Sequence, residues 1–341
     1  MDVDLIVVGL GPAGAALAYR AATHYGWRVL GIDPTTSWDK TLGVWVSDIP
    51  TWLAHLPVIR STPAAHALSR HNLGQEYAVI DTAAWRAALV TFPTLCTDAT
   101  IIDAHNVTAQ GTTYRARWVV DARGPLPDPS LPVQQALGTF VDAPSTNATW
   151  MDLRPISEDY PPTFLYTVPT PHGMLHEETI LITAAPLAWG ELESRLCARG
   201  VTACGRIEHV LFSLGSAPYR GPAIPFGARA GFINPVTGYS VGTALRLVDA
   251  TLDALSIHRS LPWHSIGFRC DQWLLRRAQT VLLSLTATEQ CTFLELLFQL
   301  SPAQQQRFLQ LGCWRGSVAA MIRMFRAASP ALKRRCLRMI A

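Results

Sequence analysis

The chain has 341 residues, 49% of them hydrophobic and only 16% charged, with a formal net charge of +3. That length allows two domains and a large core, and the charged fraction is well below the usual quarter. No run of about 18 apolar residues occurs, so no membrane-spanning helix is expected. Mean hydropathy is nonetheless positive, which suggests apolar surface beyond an ordinary core, in a greasy pocket or against a membrane. Seven cysteines without a CxxC pair read as reduced thiols in a cytosolic compartment. The ten histidines are dispersed, so no metal site is expected. A strand beginning at Val3 with no basic segment before it leads us to expect no signal peptide.

Val3–Val8 is a short apolar run of strand type, Gly14–Tyr25 has helical spacing, and Arg28–Asp33 is a second strand. Together they predict a βαβ unit of about thirty residues. Between strand and helix lies Gly9-Leu10-Gly11-Pro12-Ala13-Gly14, and Asp33 falls nineteen residues after Gly14. Gly9 permits a tight turn, Gly11 lets backbone approach a pyrophosphate, and Gly14 lets helix and strand pack closely. The helix N-terminus offers free N–H groups to phosphate, and Asp33 is placed to take ribose hydroxyls. This is a Rossmann-type dinucleotide site, with FAD the expected cofactor.

Further along, Tyr77–Ile80 is strand-like and Thr82–Val90 helical. Ile101–Val107 and Thr112–Val120 alternate around Gly111, as a hairpin does, and lead into Asp121-Ala122-Arg123-Gly124. A strand ending in D-A-x-G recurs in FAD proteins where the chain passes the cofactor again. The Pro-rich segment Gly124–Pro132 marks a domain crossing. Ala136–Val141, Thr149–Leu153, Thr163–Val168 and His176–Thr183 then read as an antiparallel sheet, and Glu191–Arg199 as a helix. The fourth of these strands carries Glu177-Glu178. Adjacent carboxylates on a strand point to opposite faces, so one faces the covered side of the sheet. A carboxyl there has a raised pKa and can hold a proton to donate; an exposed acidic pair is the plain alternative.

Ala223–Ile233 returns to strand character, and Tyr239–Leu255 is helical. Between them, Gly231, Pro235, Thr237 and Gly238 form a loop like the third FAD element of hydroxylase-type flavoproteins, with Phe232 in place of the usual acidic residue. There the helix N-terminus favours negative charge on the flavin. The remainder is helical. From Ser301 to Ala341 no acidic residue occurs, while Arg307, Arg315, Arg323, Arg326, Lys333, Arg334, Arg335 and Arg338 alternate with Phe308, Leu311, Trp314, Met321, Ile322, Phe325, Leu337 and Ile340. Such a segment fits a membrane surface or a solvated face with its apolar side in the core.

These motifs, in this order, resemble the lycopene β-cyclase family over residues 3 to about 250. Leu42-Gly43-Val44-Trp45, Gln134-Gln135-Ala136-Leu137-Gly138, Trp150-Met151-Asp152-Leu153-Arg154, Leu175–Thr179 and Ile233–Val241 match its further segments. Leu153 stands where the family has an aromatic, and Thr82 where an Arg near the flavin is common, with Arg86 close by. The resemblance implies an α/β fold: a Rossmann-type FAD-binding domain of the hydroxylase-like kind (1–135 and 210–258), an inserted antiparallel substrate domain (136–209) and a helical C-terminal region (259–341). It implies ring closure of acyclic carotenoid end groups such as those of lycopene, without net redox change, using reduced FAD with NADPH as reductant. Glu177 is the implied acid, Glu178 its support, Asp152 its orienter, and Trp45 and Trp150 aromatic faces for a cation. The implied setting is cytoplasmic, at a membrane surface, with no nucleic acid. The competing readings are an FAD-dependent monooxygenase, a desaturase or reductase acting on isoprenoids, and a non-catalytic flavin-binding scaffold.

Overall fold

The computed structural model describes residues 2–142, 147–155 and 159–340, with the side chains of residues 2 and 338–340 outside that description, those of Arg338 and Ile340 in the basic C-terminal stretch among them. The first unit forms as the spacing predicts. Strand β1 (Asp2–Val8) runs into helix α1 (Pro12–Thr23) and returns as β2 (Val29–Ile32). Both β2 and the Thr112–Asp121 strand pair with β1 in parallel. The central strands are apolar on both faces because helices cover the sheet; Leu5, Ile6 and Val7 have no exposed surface. The hairpin at Gln110-Gly111 is present, both residues having positive φ. Its first arm splits into Ala99–Ile101 and Asn106–Ala109, because the Asp103 carboxylate takes the N–H groups of His105 and Asn106 and turns the chain.

A second sheet has the strand order Ile207–Ser213, Val133–Val141, Gly173–Thr183, Phe164–Thr170, Thr149–Asp152, Ala64–His66, Arg70–Asn72. Its first five strands are antiparallel; four of them are the expected ones, and Ile207–Ser213 adds an unexpected fifth at the edge. The last two come from before residue 73, outside 136–209, and join through a parallel pairing of Ala64–His66 with Thr149–Asp152. Helix α2 (Thr82–Leu89) is capped by the Asp81 carboxylate on the Ala84 N–H. Helix α3 (Trp189–Ala198) covers the back of the second sheet, where Leu192 and Leu196 meet Leu137 and Ile180.

The expected strand over Ala223–Ile233 shrinks to Ile224–Pro225 followed by a helical turn at Gly227–Ala230. Pro225 has no N–H for a ladder, and Gly227 and Gly231 adopt positive φ that turns the chain away. Helix α4 (Val241–Ser256) packs beside α1, tied by Arg20 Nε to Asp249 at 2.7 Å. The C-terminal region is helical as expected: α5 (Ile266–Ser284), α6 (Ala287–Phe298), α7 (Pro302–Leu309), α8 (Trp314–Ala327) and α9 (Pro330–Ile340). Thr286 and Glu289 form a capping box at the start of α6. None of the described helices is long and apolar enough to cross a membrane.

Candidate active site

Two hollows meet at the N-terminus of α4. The first, about 450 Å³, is lined by Gly9, Gly11, Pro12, Ala13, Asp33 and Gly124, among others. The second, about 380 Å³, lies under the second sheet and includes Tyr77, Trp150, Tyr166, Glu177 and Tyr239 in its wall. Ala228, Ser240 and Val241 line both.

The first hollow has the form of a dinucleotide cradle. Gly9 has φ +97°, and a Cβ there would stand 2.6 Å from the Ala122 carbonyl carbon. A Cβ on Gly14 would stand 2.0 Å from the Gly9 carbonyl oxygen. A Cβ on Gly11 would meet no atom, since that face opens on the hollow. Helix α1 begins without a side-chain cap and without an acid in its first turn, leaving its N–H groups free for an anion. Asp33 accepts from the Leu10 N–H at 2.6 Å with one oxygen and from Thr35 with the other, which fixes the turn at the rim. Arg86 donates to the Thr35 carbonyl at the same rim. Gly14→Ala forces a methyl into the Gly9 carbonyl; we expect protein that purifies without yellow colour, checked by absorbance near 450 nm against the unmodified chain.

Two sequence expectations are corrected at this cradle. The Asp121 carboxylate is buried and turned away from the hollow, bridged to Arg123 at 2.8 Å and Arg229 at 3.4 Å. Burial pushes its pKa up, but the hydrogen bonds and charge of Arg123 outweigh that and hold it below the ordinary carboxylate range. Asp121 therefore aims Arg123 and Gly124, which do line the hollow. Gly231 and Pro235 line neither hollow; Gly231 ends the helical turn with φ +78°, and its carbonyl accepts from Gln272. Thr237 and Gly238 do reach the second hollow. A Cβ on Gly238 would stand 2.1 Å from Gln134 Oε1. Helix α4 has no side-chain cap either, and Gln134 Oε1 and Thr237 Oγ1 are buried without protein partners. Uncapped N–H groups, a spare amide oxygen and a spare hydroxyl where the hollows join fit a polar ring system such as isoalloxazine.

In the second hollow the two glutamates part as strand alternation requires. Glu177 lies opposite Tyr166 and Gly138 and faces the cavity with Leu175, Thr179 and Leu181. Burial raises its pKa to about 7; a hydrogen bond from Thr179 at 2.9 Å opposes the shift, and the charge of Glu208 adds to it. Glu178 points to the back of the sheet, fully buried, with the Arg199 guanidinium at 2.5 Å. Asp152 shares that back face through the register Asp152–Leu165–Glu178. It pairs with Arg154 at 2.7 Å, so it does not orient Glu177. Trp45 stands behind the wall, packed edge-on against Trp150 at 5.4 Å and Tyr77 at 5.0 Å.

Sequence reading missed three phenols in this wall. Tyr166 donates to Tyr77 at 3.2 Å, the hydroxyls of Tyr77 and Tyr239 lie 2.8 Å apart, and the Trp150 indole N–H donates to Tyr239 at 2.6 Å. Burial pushes all three phenols well above their ordinary pKa. One local signal existed. A Cβ on Gly43 would stand 1.9 Å from the Tyr77 hydroxyl, so the glycine before Val44-Trp45 marks where a side chain from elsewhere passes.

Comparison with known proteins agrees with this architecture. The family model described as lycopene cyclase protein matches residues 91–315. A Deinococcus radiodurans protein described as an uncharacterized carotenoid cyclase is 30% identical, the match covering 94% of this chain and 90% of that one. A lycopene beta cyclase of Synechococcus elongatus is 27% identical over 74% of this chain and 72% of its own. Among solved structures, a probable FAD-dependent monooxygenase from Pseudomonas aeruginosa superposes with a TM-score of 0.61 at 16% identity, covering 85% of this chain and 98% of that one.

Proposed function

Because the chain belongs to the lycopene cyclase family, we propose that it closes acyclic carotenoid end groups, such as those of lycopene, into β-type rings. One observation carries this reading: a carboxyl with a pKa near 7, Glu177, faces an apolar, aromatic-walled cavity that joins a dinucleotide cradle. We assign the cradle to FAD, held by Gly9, Gly11, Pro12, Ala13, Gly14 and Asp33 at one end and by the α4 N-terminus, Thr237 and Gly238 at the other. When bound in its reduced form, with NADPH as the reductant, FAD supplies negative charge beside a developing cation.

The chain's own groups do the rest. Protonated Glu177 gives its proton to the terminal double bond of the end group. The neighbouring alkene attacks the cation and closes the ring, and loss of a ring proton to the Glu177 carboxylate restores the starting state. One proton enters and one leaves, so no electrons are consumed. Leu175, Leu181, Phe212, Leu294 and Leu297 exclude water that would trap the cation as an alcohol, and the Trp150 face stabilises it. Glu178 acts at a distance, by fixing the strand that carries Glu177. Incubation with lycopene in liposomes under reducing, oxygen-free conditions, followed by chromatography with mass detection, tests the reading. A product of unchanged mass with a shorter chromophore is expected; a product heavier by oxygen or by hydrogens supports the monooxygenase or reductase alternatives.

We further propose docking at the cytoplasmic face of a membrane, where such a substrate resides. The outer faces of α5 and α8 combine exposed Ile266, Trp273, Trp314 and Ile322 with exposed Arg269, Arg276, Arg277, Arg315, Arg323 and Arg326. Arg277 lies over Trp273 and Arg315 over Trp314, each at 5.4 Å. The one acid in these two helices, Asp271, is buried. At about 1 kcal/mol per basic residue on an anionic surface, Arg315, Arg323 and Arg326 all changed to Glu should weaken binding to phosphatidylglycerol vesicles by more than about tenfold in co-sedimentation. Equal binding by that variant would refute this surface.

A further inference from the structure

The phenol cluster holds one more hydrogen than its own bonds use. Tyr77, Tyr166 and Tyr239 bring three O–H groups and Trp150 one N–H, and three hydrogen bonds join them. One phenolic hydrogen thus has no protein acceptor among the described residues. Tyr166 donates to Tyr77 at the head of this chain. Either hydroxyl of the Tyr77–Tyr239 pair can donate to the other; with the chain continued head to tail, Tyr77 donates to Tyr239, which also receives the Trp150 N–H. Both lone pairs of the Tyr239 oxygen are then filled, and its own O–H is the free end of the chain. A hydroxyl that accepts two hydrogen bonds is polarised into a stronger donor. Tyr239 immediately precedes Ser240 and Val241, which line both hollows. The crowding of Tyr77 against Gly43 leaves the cluster little freedom to rearrange.

The rest of the wall is largely apolar: Phe164, Leu175, Leu181, Phe212, Leu294 and Leu297. An end group made only of carbon and hydrogen, on filling this space, would dry the Tyr239 O–H and give it nothing to bond. A site built for such a ligand alone has no use for that donor, and a site that hydrogen-bonds a ligand oxygen rejects the analogue lacking it. We propose that Tyr239 recognises an oxygen atom, of hydroxyl, keto or ether type, on the end group seated beside Glu177, so that the chain prefers an oxygenated carotenoid to the plain hydrocarbon. This inference rests on the assignment of the second hollow to a carotenoid.

The test measures binding of two acyclic carotenoids with equal chromophores, lycopene and a derivative hydroxylated or oxidised to the ketone at one end group. Tryptophan quenching reads their affinity for the flavin-loaded protein in mixed micelles. The intact chain should bind the oxygenated pigment about tenfold more tightly. Tyr239→Phe should lose that preference, while Tyr166→Phe should keep it, because removing the head of the chain leaves its free end in place. Equal affinities in the intact chain, or a preference that survives Tyr239→Phe, would overturn the proposal. So would a Tyr239→Phe variant whose only defect is weaker FAD binding, which assigns the O–H to the cofactor. Failure of both pigments to bind would remove the carotenoid assignment and this inference together, whereas hydrocarbon binding without preference removes the inference alone.

Discussion

Glu177→Gln should bind flavin and carotenoid as the intact chain does and lose ring closure by about 10²- to 10⁴-fold, the range of a positioned general acid. The amide keeps the size of the side chain and a partner for Thr179 but has no acidic proton. The intact chain should also lose activity as pH rises through about 7, where Glu177 gives up its proton. The same shift has a consequence for stability. Folding raises the pKa of Glu177 from 4.5 to about 7, so the folded state retains a proton that the unfolded chain sheds between those values. The associated stability is full below pH 4.5 and is lost as pH climbs through about 7. Urea titrations at pH 5 and pH 8 should show this decline in the intact chain and a smaller one in Glu177→Gln. A Gln variant with undiminished turnover would remove Glu177 as the proton donor.

Arg199→Ala should be the most destabilising of the changes considered, by about 3–5 kcal/mol, because it strands the buried Glu178 carboxylate. Arg199 also donates to the backbone carbonyls of Asp152, Arg154 and Thr163, so its loss frees the strand ends at Asp152 and Phe164. Replacing both charges, as Glu178→Gln with Arg199→Met, should recover part of that loss by leaving no unpaired charge. Denaturant unfolding of the single and double variants checks this. If Arg199→Ala costs as little as an exposed ion pair, below about 1 kcal/mol, the back-face pair does not hold the strand that presents Glu177.

The readable parts of this site are those whose geometry is local. Gly9, Gly11, Gly14 and Asp33 sit within one βαβ unit, and the steric reasons for each glycine apply to the folded turn as they do to the motif. Strand alternation likewise dictates that Glu177 and Glu178 diverge. It does not dictate which of them meets the cavity; that depends on α3 covering the face of Leu137 and Ile180. The family resemblance puts Asp152 beside the acid, yet the register through Leu165 puts it on the Glu178 side. A shift of one residue in that pairing would have reversed the outcome, and no pattern within either strand encodes it. The phenols come from residues 77, 166 and 239, on three separate elements, and the segment 64–72 joins the second sheet by a long-range parallel pairing. Such placements are set by packing over long sequence separations. Gly43 is the one position where a missing side chain betrays the distant hydroxyl that needs its space.

If a proton from Glu177 opens the reaction, heavy water should label the product. The Glu177 proton exchanges with solvent between turnovers. Lycopene incubated with the reduced, flavin-loaded protein in deuterium oxide without oxygen should therefore yield cyclic product carrying one deuterium for each ring formed. Glu177→Gln should yield essentially none. Rings formed without deuterium, or labelled product at an undiminished rate from the Gln variant, would mean that Glu177 is not the proton donor.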